Sequence, residues 1–120
     1  MARSLQPMIV TPDLDRLLRF YTELLGAKET MRVPEDGPTF FLGLRIGDSE
    51  LGLVSDAEAD LTAAQRMLLS ADVEDVDALL PHVETLGGQV LGPPNDMPWG
   101  QRVAHVKDPD GNTLNLTQSI

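Results

Sequence analysis

Two histidines, His82 and His105, are the only imidazoles in the chain, and no cysteine accompanies them. Disulfides, thiolate nucleophiles and sulfur-ligated metals are excluded at once. Acid–base chemistry would fall to a histidine or a carboxylate. His82 occupies the helix-like segment DVDALLPHVETLGGQ, at its surface or edge, where a packing or solvated imidazole is expected. His105 lies in RVAHVK, just before the turn DPDGN and the strand-like TLNL. If Lys107 and Asn112 flank the DPDG loop as a pair, Val106 opposes Thr113, Ala104 opposes Asn115 and Arg102 opposes Thr117. His105 then shares the face of Leu114 and Leu116, away from Asn115, and is expected to be structural. No Ser-His-Asp order, Gly-rich phosphate loop or paired-carboxylate motif stands out.

The single tryptophan, Trp99, stands between Pro98 and Gly100 in a loop-like stretch poorly suited to a central core. Two expectations stand for it. One is a rim residue packed on its own sheet or at a dimer contact. The other is a stacking surface for a flat or cationic ligand, where a Trp face contributes about 0.5 to 2 kcal/mol per contact. With 19 acidic against 9 basic residues the formal net charge is -10. That balance repels phosphate backbones and anionic lipid surfaces, so neither nucleic acid nor membrane is an expected partner. A basic or neutral small molecule is the easier partner, and a solvated acidic surface that favours solubility accounts for the charge equally well.

These residues must be held by a chain of 120 residues, enough for one domain with one core. Its 42% hydrophobic and 23% charged content is that of a globular protein. No stretch reads as a membrane span or signal peptide, so a cytoplasmic location is the default expectation. An internal repeat organises the domain. DLDRLLRFYTELLGA from Asp13 aligns without a gap on DVDALLPHVETLGGQ from Asp75, an offset of 62 residues. Asp13/Asp75, Asp15/Asp77, Leu17/Leu79, Leu18/Leu80, Leu24/Leu86 and Gly26/Gly88 are identical pairs.

Both copies read as helices. Leu14, Leu17, Leu18, Tyr21, Leu24 and Leu25 form one apolar stripe at three- and four-residue spacing. Thr11 is the expected N-cap of the first helix with Pro12 at its first position, and Gly26 its stop. In the second copy Asp72 is the expected cap, and Gly87-Gly88 ends the helix. LQPMIV and RMLLSADV precede the two helices as strands. TFFLGLRIGD and ELGLVS follow in the first half, and GQVLG, RVAHVK and TLNLTQ in the second. The fold class is therefore α+β: two tandem βαβββ modules, about 1–58 and 64–120, forming a curved mixed sheet with helices on the outer face.

The paired halves, the DLDRLLRFYTELLGA helix with Phe20, Tyr21, Leu25 and Gly26, and the WGQRVAHVKDPDGNTLNL ending resemble the vicinal oxygen chelate superfamily. It includes glyoxalase I, extradiol dioxygenases, fosfomycin-resistance enzymes and drug-binding proteins of the bleomycin-resistance type. One fold there hosts several functions. The resemblance implies a test: metal-using members carry a His or Gln opening the first strand of each half, and a Glu on the last strand of each half. Counting back seven residues from Asp13 and from Asp75 gives Gln6 and Leu68. The last strands give Gly52 and Asn115, or Glu50 if the first-half register moves by two. The quartet Gln6, Gly52, Leu68 and Asn115 lacks the donors a divalent cation needs, so neither metal nor cofactor is expected.

The resemblance also implies a concave inner face. Met8, Val10, Val54, Leu68, Ser70, Ala104, Val106, Thr113 and Asn115 are its expected lining, and Gln6, Glu50 and Arg102 its polar groups. Phe40, Phe41, Met97 and Trp99 are the expected rim, the composition of a small-molecule pocket. The reading is a metal-free homodimer without catalytic residues. It would bind a small hydrophobic or aromatic molecule, cationic ones included, an antibiotic or natural product being the expected kind, and protect by sequestration. The alternative is a metal-dependent enzyme of the glyoxalase or dioxygenase type with a non-standard ligand set.

Overall fold

The computed structural model describes residue 1 and residues 3–120. The chain divides into two compact units, residues 1–60 and 61–120. The described residues carry two helices and nine strands in two mixed sheets, an α+β fold of tandem βαβββ modules.

In the first unit β1 (Met8–Thr11) leads into α1 (Leu14–Leu25), followed by β2 (Lys28–Val33), β3 (Phe41–Ile46) and β4 (Ser49–Ser55). The sheet order is β1-β4-β3-β2, with β1 parallel to β4 and the other pairs antiparallel. The helix turns Leu17, Phe20, Tyr21 and Leu24 inward at the predicted spacing, against Leu42, Leu44, Leu51 and Leu53 of the sheet. Burying each large apolar side chain contributes about 1.5–3 kcal/mol. Phe20 and Tyr21 also meet edge to face, with centroids 5.2 Å apart. Gly26 closes the helix in the left-handed region that only glycine adopts without cost, and its N–H bonds Thr22 O at 3.0 Å.

In the second unit β5 (Leu69–Asp72) leads into α2 (Val76–Thr85), then β6 (Gln89–Val90), β7 (Asn95–Met97), β8 (Gln101–Lys107) and β9 (Thr113–Ser119). The order is β5-β9-β8-β6, with β7 also paired to β8. Val76, Val83 and Leu86 pack with Ala104, Val106, Leu114 and Leu116 as this unit's core. The repeat is visible atom by atom at the helix starts. Asp13 Oδ1 accepts from Arg16 N–H at 3.1 Å, and Asp75 Oδ1 from Ala78 N–H at 3.2 Å. The strands repeat too: Met8 pairs with Gly52 and Ser70 with Asn115.

Both helix caps differ from expectation. Thr11 does not cap α1; it is buried at the end of β1, and its Oγ1 accepts the N–H of the true cap, Asp13, at 3.1 Å. Asp72 does not cap α2, because it still belongs to β5, opposite Thr117. Two strands lack sequence signals: β2, an edge strand with no buried position, and β7, three residues long. No helix among the described residues is long and apolar enough to cross a membrane.

Candidate functional site

Each unit has one sheet face under its helix and one that the helix does not cover, and strand alternation decides which residues reach the uncovered face. In the first unit these are Met8 and Val10 of β1, Glu50, Gly52 and Val54 of β4, Phe41, Gly43 and Arg45 of β3, and Met31 of β2. A sheet face turned to water ordinarily carries polar residues. Here Met8 and Met31 are each 55% exposed and Val10 50%. Gly43 and Gly52 are register partners, and the Phe41 ring lies over both. A Cβ at Gly52 would stand 3.0 Å from Phe41 Cε1 and 3.0 Å from Met8 Cγ. The two glycines thus make room for an aromatic ring lying against the backbone. Glu50 is held by Arg45, Nη2 to Oε1 at 3.2 Å. Phe40 has the parity of Leu42 and Leu44, so it stands at the strand's entry on the other face from Phe41, 56% exposed.

The second unit's uncovered face is polar. Ser70, Asn115 and His105 lie side by side across β5, β9 and β8, with Thr113 and Thr117 along β9 and Gln101, Val103 and Lys107 along β8. His105 Nδ1 and Asn115 Oδ1 are 2.6 Å apart. The expectation for His105 is therefore corrected: it shares the face of Asn115. The cause is the turn. Buried Asp108 accepts the N–H groups of Asp110 and Asn112 through Oδ1, each at 2.9 Å, and the Asn112 side-chain amide through Oδ2 at 2.8 Å. This draws Asn112 into the loop, where Asp108 N–H bonds Asn112 O, so Lys107 pairs with Thr113. A one-residue slip exchanges the faces.

Ala104, Val106 and Arg102, expected beside Asn115, accordingly lie on the helix side. Arg102 is committed there: its Nε meets Asp77 Oδ2 at 3.0 Å and its Nη1 meets Asp96 Oδ1 at 2.9 Å. Hydrogen bonds to Asp77 and then Asp96 raise its already high pKa. The alternation Ala104, His105, Val106 was the signal that could have placed His105 correctly, since the apolar members belong with Leu114 and Leu116.

Trp99 is 67% exposed in the turn between β7 and β8, where Gly100 N–H bonds Met97 O at 3.1 Å. Its indole Nε1 donates to Gln101 Oε1 at 2.9 Å, and Gln101 shares the parity of His105 on β8. Met97 is half-buried opposite Gln101, Gln6 half-buried ahead of β1, and Leu68 exposed just before β5. His82 is exposed on α2, the element packed on the opposite face from His105. Ser70 stands two strands from His105. At about 4.8 Å per strand that is roughly 9.6 Å, too far for the imidazole to activate its hydroxyl.

The sequence profile of the Glyoxalase/Bleomycin resistance protein/Dioxygenase superfamily matches residues 3–116. The chain belongs to that superfamily. It is 30% identical over 129 residues to a probable lactoylglutathione lyase of Vibrio parahaemolyticus, covering 98% of this chain and 91% of the relative. It is 32% identical over 116 residues to a lactoylglutathione lyase of Arabidopsis thaliana, covering 88% of this chain but spanning only 40% of that longer protein. Among solved structures, a superfamily enzyme from Burkholderia phytofirmans superposes with a TM-score of 0.81 at 24% identity, covering 96% of this chain and 97% of the other.

Superfamily members that use a metal set the standard for a test of the donor positions. Position 52 has no side chain, and Phe41 and Met8 fill the space a carboxylate would enter. Position 68 is aliphatic, and the Asn115 oxygen is engaged by His105. Glu50, the alternative donor, is paired with Arg45. No group of three or more His, Asp or Glu side chains converges among the described residues. A divalent cation requires several charged or imidazole donors, and these residues do not fit one.

Proposed function

We propose that the protein binds a small hydrophobic or aromatic molecule without a metal and acts by sequestration, an antibiotic or natural product being the kind of ligand its surface suits. The observation that carries this reading is the uncovered face of the first unit, where Met8, Val10 and Met31 are half exposed around the Phe41 ring. Apolar walls with few orienting polar groups are the composition of a small-molecule site. The exposed, oriented indole of Trp99 supports the same reading, and the superfamily includes proteins named for bleomycin resistance. Sequestration makes and breaks no bond. Tight binding lowers the free ligand when protein is present in comparable amount.

Trp99 is the only tryptophan, so its fluorescence reports directly. Titration with a panel of planar aromatic antibiotics is expected to give saturable quenching for at least one. By calorimetry Trp99→Ala then weakens that ligand by roughly 2- to 30-fold, the loss of one stacking contact. Circular dichroism of the variant should match the parent. Affinity unchanged in Trp99→Ala removes the stacking role, and no saturable ligand in the panel removes the reading.

The lactoylglutathione lyase relatives favour a second reading, metal-dependent catalysis of that kind. Lactoylglutathione formation with added nickel or zinc is expected to stay at the protein-free rate. Metal-dependent turnover would replace sequestration with catalysis.

A further inference from the structure

The hydrogen bond between His105 and Asn115 specifies more than contact. The imidazole Nδ1 faces the amide oxygen of Asn115 at 2.6 Å, and an amide oxygen only accepts. The proton of the neutral ring is therefore on Nδ1, and Nε2 is left with an unshared pair. His105 is exposed, so that pair is presented to whatever lies on the uncovered face of the second unit. Asn115 is well placed to hold this tautomer. It is the register partner of His105 on β9 and of Ser70 on β5, in the middle of three strands. On this surface Ser70 and the threonines can donate or accept, and Lys107 only donates, whereas the neutral His105 ring offers an acceptor fixed in direction.

We infer that His105 Nε2 is a ligand-recognition site that selects aromatic molecules bearing a hydroxyl donor, phenols and enols as a class, and that Asn115 is its positioning residue. The inference rests on the small-molecule binding reading above through Trp99, which belongs to the same unit as His105, and names the chemical class that reading leaves open. A phenol places its O–H on Nε2 while its ring lies on the sheet. The corresponding methyl ether has the same shape but no donor, and burying the acceptor against it forfeits the hydrogen bond. Such a site rejects the analogue that lacks the donor more strongly than an apolar wall separates similar shapes.

Two measurements test this. The first is the imidazole nitrogen spectrum of the free protein by long-range ¹H–¹⁵N correlation, under conditions where the ring is neutral. His105 is expected to show the Nδ1-protonated tautomer, and Asn115→Ala to return it to a tautomer mixture. An Nε2-protonated ring in the parent, or a bias that survives Asn115→Ala, overturns the inference.

The second is an amide-resonance titration with 2-naphthol and with 2-methoxynaphthalene. The naphthol is expected to bind about tenfold more tightly, the effect of one hydrogen bond. His105→Ala should bring the two within about twofold by weakening the naphthol alone. Equal affinity in the parent, or discrimination that persists in His105→Ala, overturns the selection and leaves small-molecule binding intact. Binding of neither probe while an antibiotic of the panel saturates overturns the inference alone, and the absence of any saturable ligand in both series overturns the reading with it.

Discussion

Gly52→Ala is the smallest change that tests how the first unit's uncovered face is filled. The new methyl would stand 3.0 Å from both Phe41 Cε1 and Met8 Cγ, closer than side-chain carbons pack, so one or both must move. Overpacking of this kind costs about 1–3 kcal/mol. Replacing a strand glycine contributes roughly 0.5–1 kcal/mol in the opposite sense, because the unfolded chain loses freedom. The expected net is a loss of about 1 kcal/mol. In a Phe41→Ala background only Met8 remains, and its half-exposed chain can turn away. There the same substitution should be neutral or stabilise by up to about 1 kcal/mol. Urea unfolding of the four proteins, followed by circular dichroism and compared at constant m-value, gives the coupling between the two positions directly. A coupling of about 1–2 kcal/mol is expected. Equal effects in both backgrounds, or a stabilised Gly52→Ala single variant, would refute the crowded floor and reopen position 52 to a larger side chain.

Asp108→Ala should destabilise the second unit by about 2–4 kcal/mol, because it strands two backbone N–H groups and the Asn112 amide in a part-buried turn; a loss under about 0.5 kcal/mol in urea unfolding would contradict that role. The two helix caps should behave alike, Asp13→Ala and Asp75→Ala each costing about 1 kcal/mol, while Asp72→Ala, which removes no cap, should cost less than half as much. Thermal unfolding of the three variants ranks them, and an Asp72 effect equal to the caps would reverse the assignment.

The helices and their repeat could be read from the chain because their information is local. Leucines at three- and four-residue spacing and equivalent aspartates need only the helical period to be interpreted. The strand β2 could not, since an edge strand with no buried position carries no alternation to detect. The site divides along the same line. That positions 52 and 115 correspond followed from setting the last strands, ELGL and TLNL, against each other, and the pairings of Met8 with Gly52 and Ser70 with Asn115 agree. Which face His105 occupies depended on one residue of turn geometry, set by the buried Asp108 carboxylate. The filling of the space above Gly52 depended on a neighbouring strand's Phe41 and on Met8, contacts that only the folded sheet creates.

The central claim is that this member of the superfamily lacks the donors for a metal and works as a binding protein. Its most direct test is the divalent metal content of untagged protein purified without chelator, then incubated with zinc, nickel, manganese and iron(II) and desalted. The donor set predicts far less than one equivalent per chain for every metal. Near-stoichiometric, tightly held metal would contradict the account and turn attention to lactoylglutathione lyase chemistry.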